Sequence, residues 1–216
     1  KDLGSAIINI PAVEDDPPSS VTPDNVFGYL YAVIHSPNYR SRYVDFLKSD
    51  FPRIPMPINP YIFHGLANLG RELIGRHLME FKSPDKQICS PSFSEGVQIE
   101  KISFSDETVW VDKAKTLGFT EVPEEVWNFR VGGYQVCEKW LKDRGPKRGK
   151  PGRFLTDEDI KHYQKIVVAL SETIRIMAEI DEVIEVHGGW PGAFQTADAG
   201  GKLASDGVYP ETDEGD

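Results

Sequence analysis

The chain has 216 residues, of which 39% are hydrophobic, and a formal net charge of -10. That length supports a real core, burying roughly 70% of the surface of the unfolded chain, and no apolar run reaches the ~20 residues that span a bilayer. The start lacks a secretory signal, and Cys89 and Cys137 fit neither a metal-ligand spacing nor a disulfide framework. We therefore predict a cytoplasmic protein with two reduced thiols and no membrane partner.

The two ends of the chain are rich in Pro, Gly, Ser and acidic residues. They have too few large apolar groups to offset the conformational entropy that is lost on folding. We therefore predict that residues 1–24 are a linker and that residues 191–216 are an acidic flexible tail. Between them we predict one α+β domain at residues 25–190, mostly helical, with a small antiparallel hairpin or sheet in the middle. Its helical part, its β-containing part and its long C-terminal helix are predicted at residues 25–81, 95–153 and 156–187. Because the chain begins with Lys instead of Met, we expect a piece of a longer polypeptide.

The helical part begins with two predicted helices. Asp24 is placed to cap the first one, and apolar residues recur at helical spacing along it. The predicted buried face consists of Val26, Phe27, Leu30, Val33 and Ile34. Ser36 caps the second helix, Pro37 occupies its first position, and the helix is expected to run to about Lys48.

A third helix and a hairpin follow. Four prolines in residues 51–60 exclude a helix there, and Asn59 and Pro60 then open the third helix. Alternating apolar residues at 97–104 and 108–111 flank a turn-prone polar cluster, which predicts a β-hairpin. A hairpin alone is marginally stable, so it must pack on another element.

The long terminal helix has clear end signals. Thr156 and Asp159 resemble a capping box at its start, and Gly188 and Gly189 end it after His187. At 1.5 Å per residue the helix is roughly 45 Å long. Its predicted apolar stripe consists of Ile160, Tyr163, Val167, Leu170, Ile174, Met177 and Ile184.

The segment Arg130–Arg153 concentrates positive charge, with eight Lys or Arg against two acids in an acidic chain. Gly132 and Gly133 break the chain, and a helix is expected to resume at Tyr134. Positively charged and aromatic side chains together are typical of a surface that binds the phosphates of DNA. Arginine and glutamine side chains can also form hydrogen bonds with the edges of bases. The candidate DNA contacts here are Arg130, Tyr134, Gln135, Lys139, Lys142, Arg144, Lys147, Arg148, Lys150 and Arg153. The competing interpretation is a solvated helix end and loop.

A second, smaller basic patch comes earlier in the chain. Arg40 and Arg42 lie at the start of the second predicted helix, where they could also face phosphate. An ordinary surface helix is the favoured explanation of this patch.

Catalytic motifs are weak in this sequence. Asn59, Pro60 and Tyr61 resemble the loop with which adenine-specific DNA methyltransferases hold a flipped base, but one proline is missing and a helix cap explains the first two. The five histidines form no HExxH-like pair, and there is no GxSxG, phosphate loop or GxGxxG. We predict that this chain carries no catalytic residue and no metal of its own.

Several stretches resemble one family. "VFGYLYAVIHSPNYRSRYVDFLKSDFPRIPMP", "LGRELIGRHL", "VPEEVWNFRVGGYQVCEKWLKDR" and "LTDEDIKHYQKIVVALSETIRIMAEIDEVIE" are similar to the C-terminal target-recognition domain of type ISP restriction-modification enzymes. The resemblance covers about residues 26–190. Members are large single polypeptides with a nuclease, an ATP-driven helicase-like motor, an adenine methyltransferase and this specificity module.

The resemblance implies a role in DNA recognition. The module would clamp duplex DNA together with the methyltransferase of the same polypeptide and read the sequence that permits methylation or cleavage. S-adenosylmethionine, ATP and magnesium would be cofactors of the parent enzyme and none of them of this part. Two alternatives stay open: a divergent adenine methyltransferase fragment, or an interdomain docking module that does not touch DNA.

Overall fold

The computed structural model describes residues 21–81, 88–149 and 151–194. The fold is α+β and mostly helical, with a small antiparallel sheet and a long C-terminal helix, as the sequence predicts. In these ranges no helix combines the length and the apolar character needed to cross a membrane. Most of the predicted linker, most of the predicted acidic tail and Lys150 lie outside the described residues.

Four helices form the first part of the fold. They are α1 (Pro23–His35), α2 (Pro37–Arg42), α3 (Val44–Ser49) and α4 (Pro60–His77). Ser36 caps α2 and Asn59 caps α4, as predicted, because each side chain accepts a hydrogen bond from a first-turn backbone N–H. The N-cap of α1 is Thr22, so the prediction of Asp24 was wrong; that carboxylate lies in the first turn, where it favours the helix dipole. The second predicted helix divides at Tyr43 into α2 and α3.

Helices α1 and α4 pack through glycines. A Cβ built on Gly70 of α4 would lie 1.8 Å from the carbonyl oxygen of Gly28 in α1, so the two backbones touch. The buried residues of α1 are Gly28, Tyr29, Ala32 and Val33. The predicted face was wrong for Val26, Phe27 and Leu30, which are 40%, 57% and 37% exposed. The close approach of α1 and α4 requires small residues at the contact, and the spacing of hydrophobic residues alone does not predict such a contact.

The β-containing part is a four-stranded antiparallel sheet. Its strands are β1 (Ser90–Pro91), β2 (Ser103–Ser105), β3 (Thr108–Trp110) and β4 (Gly118–Thr120), in the order β1-β4-β3-β2. The predicted hairpin is β2–β3, in which Phe104 lies opposite Val109. Phe119 of β4 is fully buried, and its ring centroid lies 4.4 Å from that of Tyr163 in the long helix. The sheet therefore has the support that a hairpin needs.

The long helix is α7 (Asp157–Val186), followed by the short α8 (Gly189–Gly192). The capping box of Thr156 and Asp159 is present, as predicted. The first half of α7 packs into a sheet core with Val109, Phe119 and Leu141, and the second half into a helical core with Val33, Ile62 and Leu66. Of the predicted stripe, Ile160, Tyr163, Val167, Leu170 and Ile184 are buried, whereas Ile174 and Met177 are only partly buried against the cores. The fully buried residues of the second half also include Ile176 and Ile180. One helix therefore belongs to both cores.

Candidate nucleic-acid interface

The basic segment folds as a hairpin followed by a short helix. After α5 (Glu124–Asn128) come β5 (Arg130–Val131), β6 (Tyr134–Gln135) and α6 (Val136–Lys142). The helix expected from Tyr134 begins two residues later, because Tyr134 and Gln135 pair with β5. Gly132 and Gly133 have φ values of 55° and 84°, as a two-residue hairpin turn requires. Two glycines between Val131 and Tyr134 are a hairpin signal, so the predicted break in the chain is a tight turn between two strands.

The hairpin is fixed to the body of the domain. The side-chain amide of Gln135 donates a hydrogen bond to the carbonyl of Trp127 in α5. A guanidinium N–H of Arg130 donates to the carbonyl of Gly133 at 3.2 Å, closing the turn. Gln135 therefore holds the hairpin in place, whereas Tyr134 is 63% exposed and free to contact a partner.

Helix α6 carries two predicted contacts on its outer surface. Lys139 forms an ion pair with Asp143, and Lys142 forms one with Glu138 at 2.8 Å. Lys139 lowers the pKa of the Asp143 carboxyl, which stays ionised beside it. Exposed pairs of this kind contribute no more than about 1 kcal/mol, so either lysine can exchange its carboxylate for a phosphate.

Two predicted DNA contacts are engaged inside the fold. Nε of Arg144 donates to Asp159 at 3.0 Å, and Arg153 donates to the same carboxylate through two N–H groups, each at 2.6 Å. Burial alone would raise the pKa of Asp159, but the hydrogen bonds from Arg153, Thr156 and Arg144 hold it well below its usual range. Arg144 also stacks 3.4 Å from the ring centroid of Trp140. These two arginines are part of the structure at the start of α7.

The loop between these arginines carries the least engaged cations. The backbone N–H of Arg153 donates to the carbonyl of Arg144 at 3.1 Å and closes the loop. Lys147 and Arg148 are exposed, and within the described part of the chain neither forms an ion pair. A phosphate would therefore meet these two side chains without displacing an internal partner.

The second predicted patch lies at the opposite end of α7. Arg40 and Arg42 are exposed on α2, whose Asn38 N–H donates to Asp181 at 3.1 Å. Asp181 and Asp159 are separated by about 33 Å along α7 at 1.5 Å per residue. Nε of Arg40 also donates to a carbonyl at the end of α1 at 2.7 Å. The structure does not bring the two basic patches together.

The residues that the catalytic alternative depends on have identifiable positions in the structure. Oδ1 of Asn59 accepts a hydrogen bond from the backbone N–H of Ile62 at 3.1 Å, so this side chain acts as a helix cap. Among the described residues no group of three or more His, Cys, Asp or Glu could hold a metal ion. Burial raises the pKa of both Cys89 and Cys137 to about 12, which makes them poor nucleophiles.

Comparison with known proteins identifies the family. The model of the Type ISP C-terminal specificity domain matches residues 9–179. The chain belongs to this family. No curated protein matches it.

Three solved structures resemble this specificity domain. The first is the ATP-dependent Type ISP restriction-modification enzyme LlaBIII bound to DNA, with a TM-score of 0.56 and 17% identity over 75% of this chain. The second is a nuclease-deletion mutant of the Type ISP enzyme LlaGI with a DNA substrate mimic, with a TM-score of 0.50 and 24% identity over 77%. The third is the DrdV-DNA complex, with a TM-score of 0.54 and 23% identity over 74%.

The specificity domain is small beside these proteins. It covers 11% of the LlaBIII chain, 14% of the LlaGI chain and 18% of the DrdV chain. At these identities the likeness is one of fold, and the assignment of individual side chains to DNA stays a prediction.

Proposed function

We propose that this specificity domain reads duplex DNA for a longer restriction-modification polypeptide, which methylates adenine or cleaves according to the sequence read. Membership of the specificity-domain family supports this role, and the three similar structures are all described as DNA complexes. The observation that carries the proposal for this chain is the closed basic loop, where Lys147 and Arg148 are exposed without an ion-pair partner among the described residues. DNA affinity depends strongly on cations of this kind.

The proposed DNA surface has a definite border. It includes the outer side of α6 and the loop that follows, where Lys139, Lys142, Lys147 and Arg148 are exposed. Before the hairpin in the chain, α5 carries Glu124 and Glu125, which line a depression with Glu107. Phosphates are repelled there, so the duplex is expected to follow the side of α6 and not that of α5.

The salt dependence of binding tests the proposal. Fluorescence anisotropy of the 216-residue chain on random duplex DNA should show an affinity that falls steeply with salt. Replacing Lys147 and Arg148 together by Ala should lower the slope of log K against log salt by up to about two units, since each phosphate contact contributes about 0.9. The folded structure should be unaffected, because both side chains are exposed.

A matched pair of arginines provides the control. Arg40→Ala with Arg42→Ala also removes two exposed charges, but at the opposite end of α7, and should leave the slope unchanged. A slope lowered only by this second pair would move the DNA surface to α2. The absence of binding by the unaltered chain at low salt would overturn the proposal.

The opposite end of the domain suits a protein partner, and we assign it to the methyltransferase part of the same polypeptide. An apolar groove lies between α3 and the proline-rich segment, where Phe46 and Phe51 are 62% and 87% exposed. Exposed apolar patches of this kind mark interaction sites, and the domain spans less than a fifth of the similar DNA-bound chains. We therefore propose that the same module binds DNA with one surface and another part of the polypeptide with a second surface.

Calorimetry with a separately produced methyltransferase part tests this second contact. Phe46→Ser with Phe51→Ser should weaken that binding at least tenfold while DNA affinity of the 216-residue chain stays the same. Lys48→Ala, which alters an exposed charge on the same helix, serves as the control. Equal binding by the aromatic variant would refute the assignment.

The cofactors of the parent enzyme are assigned elsewhere in the polypeptide. The described residues contain no cluster suited to a metal ion, and the sequence has no loop that cradles phosphates. We therefore propose that S-adenosylmethionine, ATP and magnesium bind in other parts of the polypeptide. A methyltransferase fragment would bind S-adenosylmethionine by itself, so the absence of heat in a titration of this chain is the expected result.

A further inference from the structure

The β5–β6 hairpin presents an apolar pair to solvent. Val131 and Tyr134 lie directly opposite each other in the antiparallel pairing, and they are 61% and 63% exposed. Cross-strand neighbours of this kind share one face of a hairpin, with Cβ atoms about 5 Å apart. A valine and a tyrosine together form a continuous apolar surface at the tip of a projecting element.

The direction of this pair follows from the other face of the hairpin. Successive side chains of a strand alternate between faces, and the side chain of Gln135 points inward to the carbonyl of Trp127. Tyr134, its neighbour, therefore points away from the body of the domain. A Cβ built on Gly132 or Gly133 would meet nothing within 4 Å, which shows that the turn itself is also free of the fold.

The hairpin is held rigidly for its size. A two-glycine turn with both φ values positive matches the twist of the strands. Arg130 closes the turn through Gly133, and the backbone N–H of Val136 donates to the carbonyl of Phe129 at 3.2 Å. Because such an element loses little conformational entropy on binding, burial of its exposed apolar surface contributes more fully to the binding free energy.

We propose that Val131 and Tyr134 form a wedge that enters a groove of the duplex and packs against the bases. This inference rests on the proposed function and adds a second kind of contact to it. In the chain the wedge directly precedes α6 and the basic loop, which carry the cations proposed to bind phosphates. Proteins that insert apolar side chains between bases combine an apolar wedge with cations that bind phosphates. The apolar contact releases no counterions, so its contribution to affinity does not depend on salt.

The test separates apolar from ionic contributions to DNA affinity. Anisotropy titrations of the 216-residue chain on duplex DNA are run at several salt concentrations for Tyr134→Ala with Val131→Ser. The variant should bind about tenfold more weakly at every salt concentration, as expected for loss of an aromatic contact with a base, with an unchanged salt slope. Tyr134→Phe keeps the ring and should retain most of the affinity. Circular dichroism checks that all variants are folded.

A base analogue reports the contact directly. Duplexes with 2-aminopurine at successive positions of a bound sequence should show a fluorescence change with the unaltered chain and lose it with the double variant. Unchanged affinity and fluorescence for that variant would refute the wedge while leaving phosphate binding by Lys147 and Arg148 intact. A lowered salt slope for the variant would also refute it, because the hairpin would then act through charge. The absence of binding by every form, the unaltered chain included, would refute the proposed function itself.

Discussion

Asp159→Asn is expected to destabilise the domain strongly, because one carboxylate joins three parts of the chain. It accepts hydrogen bonds from Arg144 and Arg153 and from the backbone N–H of Thr156, and only 9% of its side chain is exposed. Asn preserves the size of the side chain but leaves two guanidinium groups without their counter-charge. Breaking a buried ion pair in this way costs about 3–5 kcal/mol.

The lower end of this range applies here. Arg153 has half of its side chain exposed and regains water in the variant, whereas Arg144 is 22% exposed and stacked on Trp140. We therefore expect the free energy of unfolding to fall by about 3 kcal/mol, and the melting temperature by about 6 to 12 °C for a domain of this size. Urea titration followed by circular dichroism measures the first quantity, and a thermal scan measures the second.

A neighbouring carboxylate provides the control. Asp157 lies in the same turn and pairs with Lys161, but both side chains are largely exposed, so Asp157→Asn should cost less than about 1 kcal/mol. Equal effects of the two variants would refute the role given to Asp159. The pKa of Asp159 is lowered by folding, so its contribution is present above the unfolded value of about 3.9 and is lost as the pH falls below it. The acid limb of stability should be shallower in Asp159→Asn.

Three further results are expected from the fold. Gly70→Ala should cost at least about 3 kcal/mol in urea unfolding, since its Cβ would overlap the backbone of α1, whereas Gly75→Ala in the same helix has open space and should be neutral or stabilising by up to about 1 kcal/mol. Cys89 and Cys137, buried with pKa values of about 12, should react with a thiol reagent at pH 8 only at the rate of unfolding; rapid labelling of the native protein would contradict their burial. Burial lowers the pKa of His77 below its ordinary value of 6.5, so the unfolded chain binds a proton at this residue before the folded protein does, and the stability of the fold decreases as the pH falls below 6.5. A melting temperature that rises between pH 6.5 and 5.5 in the unaltered protein but not in His77→Gln would contradict this sign.

The parts predicted well from the sequence are those with local signals. The caps at Ser36 and Asn59 and the box of Thr156 and Asp159 depend on residues three positions apart, and each is present. The long helix shows its buried stripe over many turns, so errors at single positions do not change the outcome. The β2–β3 hairpin was equally readable from its alternation and turn.

The errors have long-range causes. The buried face of α1 was misassigned because Gly28 meets Gly70, which lies in another helix far along the chain. The structural roles of Arg144 and Arg153 were hidden for the same reason, because composition does not show that Asp159 pairs with both in the fold. Their contact with DNA stays a prediction. The exposure of Val131 was also not predictable from the sequence, because it follows from the hairpin pairing with Tyr134.

The shared carboxylate also makes the basic loop replaceable. Arg144 and Arg153 fix its two ends by a backbone hydrogen bond and by their common partner, and neither hydrophobic core includes any of the described residues between them. Each doubling of loop length costs only about 0.6 kcal/mol once the ends are held. Exchanges at the exposed Pro146, Lys147 and Arg148 are therefore tolerated by the scaffold, whereas Gly152 must stay small because its Cβ would lie 3.0 Å from Gly145. Natural variation can remodel the exposed tip of the loop while selection for folding acts on its anchors.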